Sequence, residues 1–364
     1  MSKHSTLEGP IHVAVIGAGA IGINHIQNLQ LHPEAVVAAI AESHPERGRA
    51  AAEEFKIARV ETDYRAVLDD PFIHAVTICL PNCLHAPVSL AALQAGKHVL
   101  LEKPMATNAQ EAGALVKAAR ESQRLLMVAQ NQRFSKNAQT VRQLVERGFF
   151  GDIYYAKAYW RRQKGIPRIG SWFTQRAMAG GGATYDIGVH VLDLCLFLLD
   201  EFDVETVSAA VGSRLGEQGM GDGGWGKSEI DPDKPFDVDD FSCALLRLKN
   251  GCTIMFEATW ALLQEHGDMN GVELYGTAAG GRVGQQPALF EVDKIEDKLV
   301  HKVSELPDLP TLVDPNRMAH FVDCLLGRAE PLVPMEQSLQ VQRILDAIYL
   351  SAQEGREVVL KDMA

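Results

Sequence analysis

The chain has 364 residues, of which 46% are hydrophobic and 23% charged, with a formal charge of −12. That length exceeds one ordinary core and predicts two domains. The acidic balance, with no run of lysines or arginines, argues against nucleic acid and against an anionic membrane surface as partners. No apolar run nears the roughly 20 residues that span a bilayer, 191–199 being the longest candidate and carrying Asp193. Segment 1–10 is polar and unlike a signal peptide, so the expected location is the cytoplasm.

Up to about residue 130, short apolar runs at 11–16, 35–41, 75–80, 98–101 and 125–129 alternate with helical stretches. Most runs are apolar without alternation, as strands covered on both faces are. Segment 85–95 reads as a helix stopped by Gly96. Strand, helix, strand at this spacing predicts an α/β fold with a parallel, doubly wound sheet. The pattern changes after Gln132, which divides the chain into domains at 1–132 and 133–364. In the second, a helix over 135–146 stops at Gly148, and 152–160 reads as a strand. Gly180-Gly181-Gly182 leads into a helix over about 183–199. Segment 216–235, rich in Gly and Asp, reads as a long loop. Strands 240–249 and 252–260 flank Asn250-Gly251, a two-residue hairpin turn. Ile254, Phe256, Ala258 and Trp260 alternate with Thr253, Met255, Glu257 and Thr259, the period of a half-buried strand. Helices over 315–326 and 336–354 close the chain. Cys79, Cys83, Cys195, Cys243, Cys252 and Cys324 show no zinc spacing and no expected disulfide framework.

Gly17-Ala18-Gly19-Ala20-Ile21-Gly22 is a G-x-G-x-x-G that follows the first strand and opens a helix. Glycine allows the sharp turn and lets a pyrophosphate approach the helix N-terminus, whose free N–H groups favour negative charge. Glu42 ends the second strand, twenty residues after Gly22. Its carboxylate can accept from adenosine ribose hydroxyls and repels a 2′-phosphate. NAD is therefore the expected cofactor and NADP the less favoured one, with Arg47 and Arg49 near enough to reach a 2′-phosphate. His25 reads as a packing or capping residue.

Leu101-Glu102-Lys103-Pro104 follows a strand directly. Ligands of open α/β sheets bind beyond the carboxyl ends of strands, so Lys103 is placed to reach the cofactor edge. Pro104 restricts it to extended backbone. An exposed lysine paired with Glu102 is the plain alternative. Asp186 and His190 are four apart, hence neighbours on one helix face, and Asp193 continues the stripe. A histidine held by a carboxylate accepts a proton from an alcohol near neutral pH. The alternatives are a core histidine satisfied by Asp186 and a metal site of Asp186, His190 and Asp193. No third strong ligand has convincing spacing, and no metal is expected.

These motifs together resemble the glucose–fructose oxidoreductase / inositol dehydrogenase (Gfo/Idh/MocA) family. The matching residues are Gly17 to Gly22, Pro81-Asn82 with His85, Glu102-Lys103-Pro104, and Gly181-Gly182 followed by Asp186 and His190. The resemblance covers nearly the whole chain. It implies a Rossmann domain joined to a C-terminal α+β domain built on an open, mostly antiparallel sheet. That sheet commonly forms a homodimer or homotetramer interface, and the last helices pack back toward the first domain. It implies an NAD(P)-dependent oxidoreductase acting on a sugar, glycoside or inositol, with Lys103, Asp186 and His190 at the catalytic positions. Pro81, Asn82, His85 and Glu102 then fall on the cofactor side with Gly17, Gly19, Ala20, Ile21, Gly22 and Glu42. Glu42 departs from the Asp of many members. Segment 160–167, with Ser171-Trp172-Phe173, is similar to a carbohydrate-oxidising subgroup. Arg161 and Trp172 are expected to meet sugar hydroxyls and C–H faces, with Asn131 and Arg133 at the domain junction. Buried aromatics are the plain alternative for Trp172 and Phe173. In this reading His190 takes the hydroxyl proton, Lys103 stabilises the oxygen, and Asp186 orients His190 or holds a neighbouring hydroxyl. The rivals are a dinucleotide-binding sensor without turnover, a glycosidase using transient oxidation, and an imine or biliverdin-type reductase.

Overall fold

The computed structural model describes residues 6–363 except 226, 227, 232 and 235. Positions 1–5 of the polar N-terminus and those four positions of the 216–235 loop lie outside the described residues. Strands β1 (Ile11–Ile16), β2 (Ala35–Ala41), β3 (Val60–Glu61), β4 (Ala75–Ile78), β5 (His98–Leu101) and β6 (Leu126–Val128) form a parallel sheet. Their order is β3-β2-β1-β4-β5-β6. Helices α1 (Ala20–Leu29), α2 (Pro45–Phe55), α3 (Arg65–Leu68), α4 (His85–Gln94) and α5 (Ala109–Ser122) connect them. Helices cover both faces, so β4 and β5 are buried along their whole length. The strand order reverses between β1 and β4 and leaves a crevice beyond their carboxyl ends. β3, two residues at the sheet edge, is too short to carry a sequence pattern.

The second sheet contains β7 (Ile153–Arg161), β8 (Val204–Gly212), β9 (Phe241–Leu248), β10 (Thr253–Thr259), β11 (Met269–Gly276), β12 (Gly280–Gly284), β13 (Ala288–Ile295), β14 (Lys298–Ser304) and β15 (Val358–Val359). Their order is β14-β13-β12-β11-β7-β10-β9-β8-β15, antiparallel throughout except β7 beside β10. The β9–β10 hairpin forms as expected. Of its turn pair only Gly251 takes a positive φ, +89°, while the Asn250 side chain accepts the Cys252 N–H. The turn is therefore not the two-residue mirror-image type that Asn-Gly predicts.

Helices α6 (Lys136–Glu146), α7 (Arg176–Ala179), α8 (Val189–Leu199), α9 (Arg317–Leu325) and α10 (Met335–Glu354) complete the chain. Every residue of α8 is buried. The β10 row Ile254, Phe256, Ala258 and Trp260 is buried in the same core, whereas Met255 on the other face is exposed. α9 joins the core of the first sheet through Met318, Phe321 and Val322, while α10 packs on the second core. The stretch Arg176–Leu199 is apolar and long enough to cross a membrane, and its most apolar 18-residue window is buried inside the protein.

One element differs from the sequence reading in a way that matters for the site. The 183–199 segment begins with a π-helical turn, Thr184–Gly188, before α8. Its start is held tightly: a Cβ on Gly182 would sit 1.8 Å from the Asp239 carbonyl oxygen. A Cβ on Gly188 would sit 2.7 Å from the Phe256 ring.

Candidate active site

The crevice opens at the glycine motif, where two glycines serve the chain and the third leaves an open approach. Gly17 has φ +93°, and a Cβ there would meet the Cys79 carbonyl oxygen at 2.3 Å. A Cβ on Gly22 would lie 1.8 Å from the Gly17 oxygen. Gly19 faces open space, with nothing within 4 Å of its added Cβ, and no side chain caps α1 there. Ala20 and Ile21 are exposed beside it. An uncapped helix N-terminus with a bare approach fits a dinucleotide pyrophosphate.

Glu42 is 5% exposed, and Oε2, with one protein donor, keeps an acceptor position open. Oε2 accepts the Ala18 N–H at 2.8 Å; Oε1 accepts the His44 N–H at 2.9 Å and Arg47 at 2.8 Å. Burial opposes its ionisation, but Arg47 and the two backbone N–H groups outweigh that and hold the carboxyl below its usual range. Arg47 is thereby held by Glu42 rather than left free for a 2′-phosphate, and Arg49 bonds the Pro45 carbonyl oxygen.

Three residues expected on the cofactor side turn inward instead. The His85 ring is fully buried, with Nδ1 2.7 Å from the Pro104 oxygen and Nε2 2.9 Å from the Leu80 oxygen. It ties together the ends of β4 and β5. Two carbonyls invite two N–H donors, yet burial lowers its pKa, and a neutral ring can donate to only one of them. Asn82 donates to the Ala179 oxygen at 2.8 Å and so links the two halves of the chain. Glu102 is 7% exposed; His25 Nε2 lies 2.9 Å away, Arg317 3.3 Å, and the Lys103 N–H 3.2 Å. Its carboxylate is used by protein groups and supports Lys103 from behind. His25 is thus a buried partner of Glu102, and Arg317 arrives from α9. Pro81 is half-buried at the end of the β4 loop.

Lys103 Nζ donates to the Asp186 carbonyl oxygen at 2.8 Å and to its Oδ1 at 3.1 Å. An ammonium has three N–H groups, so one remains for a ligand. Asp186 Oδ2 accepts the indole N–H of Trp260 at 2.9 Å. Burial raises the Asp186 pKa, but the charges of Lys103 and Arg162 and the bonds from Trp260 and Lys103 bring it below its ordinary value. Both of its oxygens are thus taken, and the expected Asp186–His190 pair does not form. Lys103 and Trp260, which reach Asp186 from other elements, claim the carboxylate that helical spacing alone would offer to His190. The second expected member of the stripe is also elsewhere, because Asp193 belongs to Arg133. His190 is 9% exposed, its Nδ1 is buried without a partner, and its ring packs 5.7 Å from that of Trp160. Burial first, then the Lys103 charge, pushes its pKa down to about 3, against Asp186 and Glu102.

Around this centre the substrate-side expectations divide. Arg133 is fully buried in a two-point ion pair with Asp193, at 2.6 and 2.8 Å, and also donates to the Leu332 oxygen. It is a core residue, not a substrate contact. Arg161 lies on the outer face of β7, over Tyr159 and 3.8 Å from Glu257. Strand alternation sends it away from His190. Arg162 takes its place, with its guanidinium 5.1 Å from the Trp160 ring and 5.5 Å from that of Trp225. Phe173 lies 6.3 Å from Trp225 and stacks on Trp172 at 3.8 Å. An arginine–aromatic surface therefore runs outward from His190 to Trp172. Asn131 is exposed at the junction. Among the described residues no group of three or more His, Cys, Asp and Glu could hold a metal ion.

A family model described as an oxidoreductase family with an NAD-binding Rossmann fold matches residues 11–130, and a GFO/IDH/MocA C-terminal domain model matches 138–281. The chain belongs to the Gfo/Idh/MocA family. This Gfo/Idh/MocA protein is an NAD-binding oxidoreductase. It is 30% identical to a D-glucoside 3-dehydrogenase of Escherichia coli (strain K12) over 98% of this chain and 100% of that protein. It is 32% identical to a levoglucosan dehydrogenase of Pseudarthrobacter phenanthrenivorans over 73% of this chain and 72% of the relative. Among solved structures, a levoglucosan dehydrogenase in complex with NADH and levoglucosan superposes with a TM-score of 0.84 at 25% identity, covering 96% of this chain and 99% of that one.

Proposed function

We propose that this chain transfers a hydride between NAD and a secondary carbinol of a pyranoside, with C3 of a D-glucoside as the first candidate. What carries the reading is that Lys103, with one N–H to spare, follows β5 at the carboxyl edge of the first sheet and lies close enough to the buried His190 for its charge to lower the histidine's pKa. The full-length likeness to a D-glucoside 3-dehydrogenase supports the choice of sugar. Bound NAD supplies the hydride acceptor. Gly19 and the start of α1 hold its pyrophosphate, and Glu42 meets its adenosine ribose. Lys103 donates its remaining N–H to the reacting oxygen and stabilises the negative charge that develops there. His190, with Nδ1 sealed in the protein, meets the hydroxyl through Nε2 and takes its proton. Asp186 orients Lys103 rather than His190. Arg162 and Trp160, in place of Arg161, offer the sugar a hydrogen-bonding fork and a flat face, and Trp172 lies at the far end of that surface.

The same reading puts the substrate half of the protein after residue 132 and the protein in the cytoplasm. It assigns homodimer or homotetramer contact to the outer face of the second sheet, where Met255 is exposed and Tyr155 stacks on Tyr275. Absorbance of NADH, followed with methyl D-glucosides, levoglucosan and myo-inositol, tests the substrate. The expected result is NADH with a 3-keto glucoside as product. NADH from myo-inositol and none from any glucoside would exclude the pyranoside assignment, and free glucose without NADH would point to transient oxidation.

A further inference from the structure

Gln342, Asp346 and Tyr349 lie along one stripe of α10, at four- and three-residue spacing. All three grip the π-helical turn that carries Asp186. The Tyr349 hydroxyl bonds Asp239. Asp239 in turn accepts the N–H groups of Gly182 and Thr184, at 2.7 and 2.9 Å, and the Thr184 hydroxyl at 2.7 Å. Asp346 Oδ1 accepts the Tyr185 hydroxyl at 2.9 Å and Gln342 at 3.2 Å. Its Oδ2 accepts the N–H of Ala109, the first residue of α5, at 2.7 Å. The Tyr185 hydroxyl also lies 3.0 Å from the Thr107 oxygen and accepts from Gln342 at 2.8 Å. One carboxylate therefore joins Tyr185, the neighbour of Asp186, to the segment 107–109 that follows Lys103. The packing leaves little slack: a Cβ on Gly180 would lie 3.1 Å from Tyr185 and 3.2 Å from Thr107.

The Lys103–Asp186 contact crosses the same junction. A lysine stem is flexible and cannot by itself set the distance between the segments it bridges. We propose that Asp346, acting through Tyr185 and Ala109, is a positioning residue for the reaction: it sets the spacing between the strand end that bears Lys103 and the turn that bears Asp186 and leads into His190. This rests on Lys103 being the group that meets the reacting oxygen. A carboxylate is well suited to the task, since the N-terminus of α5 offers it a free N–H and a favourable dipole. An amide in its place keeps the volume but leaves either the Gln342 NH2 or the Ala109 N–H facing another NH2 group, so Asp346→Asn loosens the clasp on one side.

The test uses Asp346→Asn and Tyr185→Phe in the full chain. Trp260 donates its indole N–H to Asp186, so its indole resonance reports the position of Asp186 in the protein without cofactor. Both variants should move that resonance and lower kcat on methyl D-glucoside by about 10-fold or more, because small misplacements of reacting groups are costly. NAD affinity should stay within about two-fold, and the double variant should be little worse than the poorer single one. A lower Tm with an unmoved indole resonance and wild-type kcat would overturn the proposal and leave Asp346 as a fold-stabilising residue. If Asp346→Asn fails to fold, Tyr185→Phe, which removes one oxygen, decides by the same readouts. If Lys103→Met turns over like the wild type, the reading of the site fails, while the indole resonance still judges the clasp.

Discussion

His190→Asn removes a ring whose pKa falls from an ordinary 6.5 to about 3 on folding, by burial first and the Lys103 charge second. The folded chain thus excludes a proton that the unfolded chain binds below pH 6.5. The stability that comes with the neutral ring is complete above that value and is lost as pH falls toward 3. One such proton is worth about 1.4 kcal/mol per pH unit, so from pH 7.5 to 5 the wild type should lose about 2 kcal/mol more than His190→Asn. At pH 5 only about 1% of folded His190 carries a proton, against about 97% for an unperturbed ring. In a histidine NMR titration, the resonance missing from His190→Asn should stay flat from about pH 8 to 5. Turnover should show no acidic limb from this residue over the same range, and the variant should lose about 100-fold or more in kcat. This revises the near-neutral base that a carboxylate-held histidine would supply. A resonance that titrates near 6.5, or an acidic limb there that the variant abolishes, would refute the reasoning.

Glu42→Ala frees Arg47 and removes a charge that repels a 2′-phosphate, so the ratio of NADP to NAD dissociation constants should fall; an unchanged ratio in titrations contradicts the role given to Glu42. Arg133→Met strands a buried Asp193 and should cost about 3–5 kcal/mol of stability, seen as a lower Tm, while Arg133→Met/Asp193→Leu recovers much of it. A wild-type Tm for Arg133→Met would return Arg133 to the surface of the substrate site.

The parallel half was legible because buried strands and glycine-stopped helices leave strong local patterns: β1, β2 and β5 fall on the apolar runs residue for residue. The glycine motif and Lys103 were legible for the same reason, as each sits next to a strand end. The Asp186–His190 spacing does not give a pair because Lys103 and Trp260, 83 and 74 residues away in the chain, take the Asp186 carboxylate, and sequence spacing carries no sign of such partners. The outward direction of Arg161 is readable in the sequence. Ala156 and Ala158 are buried on the inner face of β7 and Trp160 shares it, so period-two alternation already turns Arg161 outward. Trp260 could likewise have been placed near the site from the inward row of β10. His25, Arg317, Tyr185 and Asp346 could not, because their partners lie 77 to 237 residues away and single-sequence patterns carry no long-range pairing.

The most direct test of the proposed chemistry is single-turnover transfer of deuterium from C3 of methyl D-glucoside to NAD, compared between the wild type and Lys103→Met. The account predicts that deuterium arrives in NADH. It also predicts that Lys103→Met slows the transfer by about 100-fold or more with NAD affinity nearly unchanged. Deuterium lost to water, or equal transfer rates in the two proteins, would contradict it.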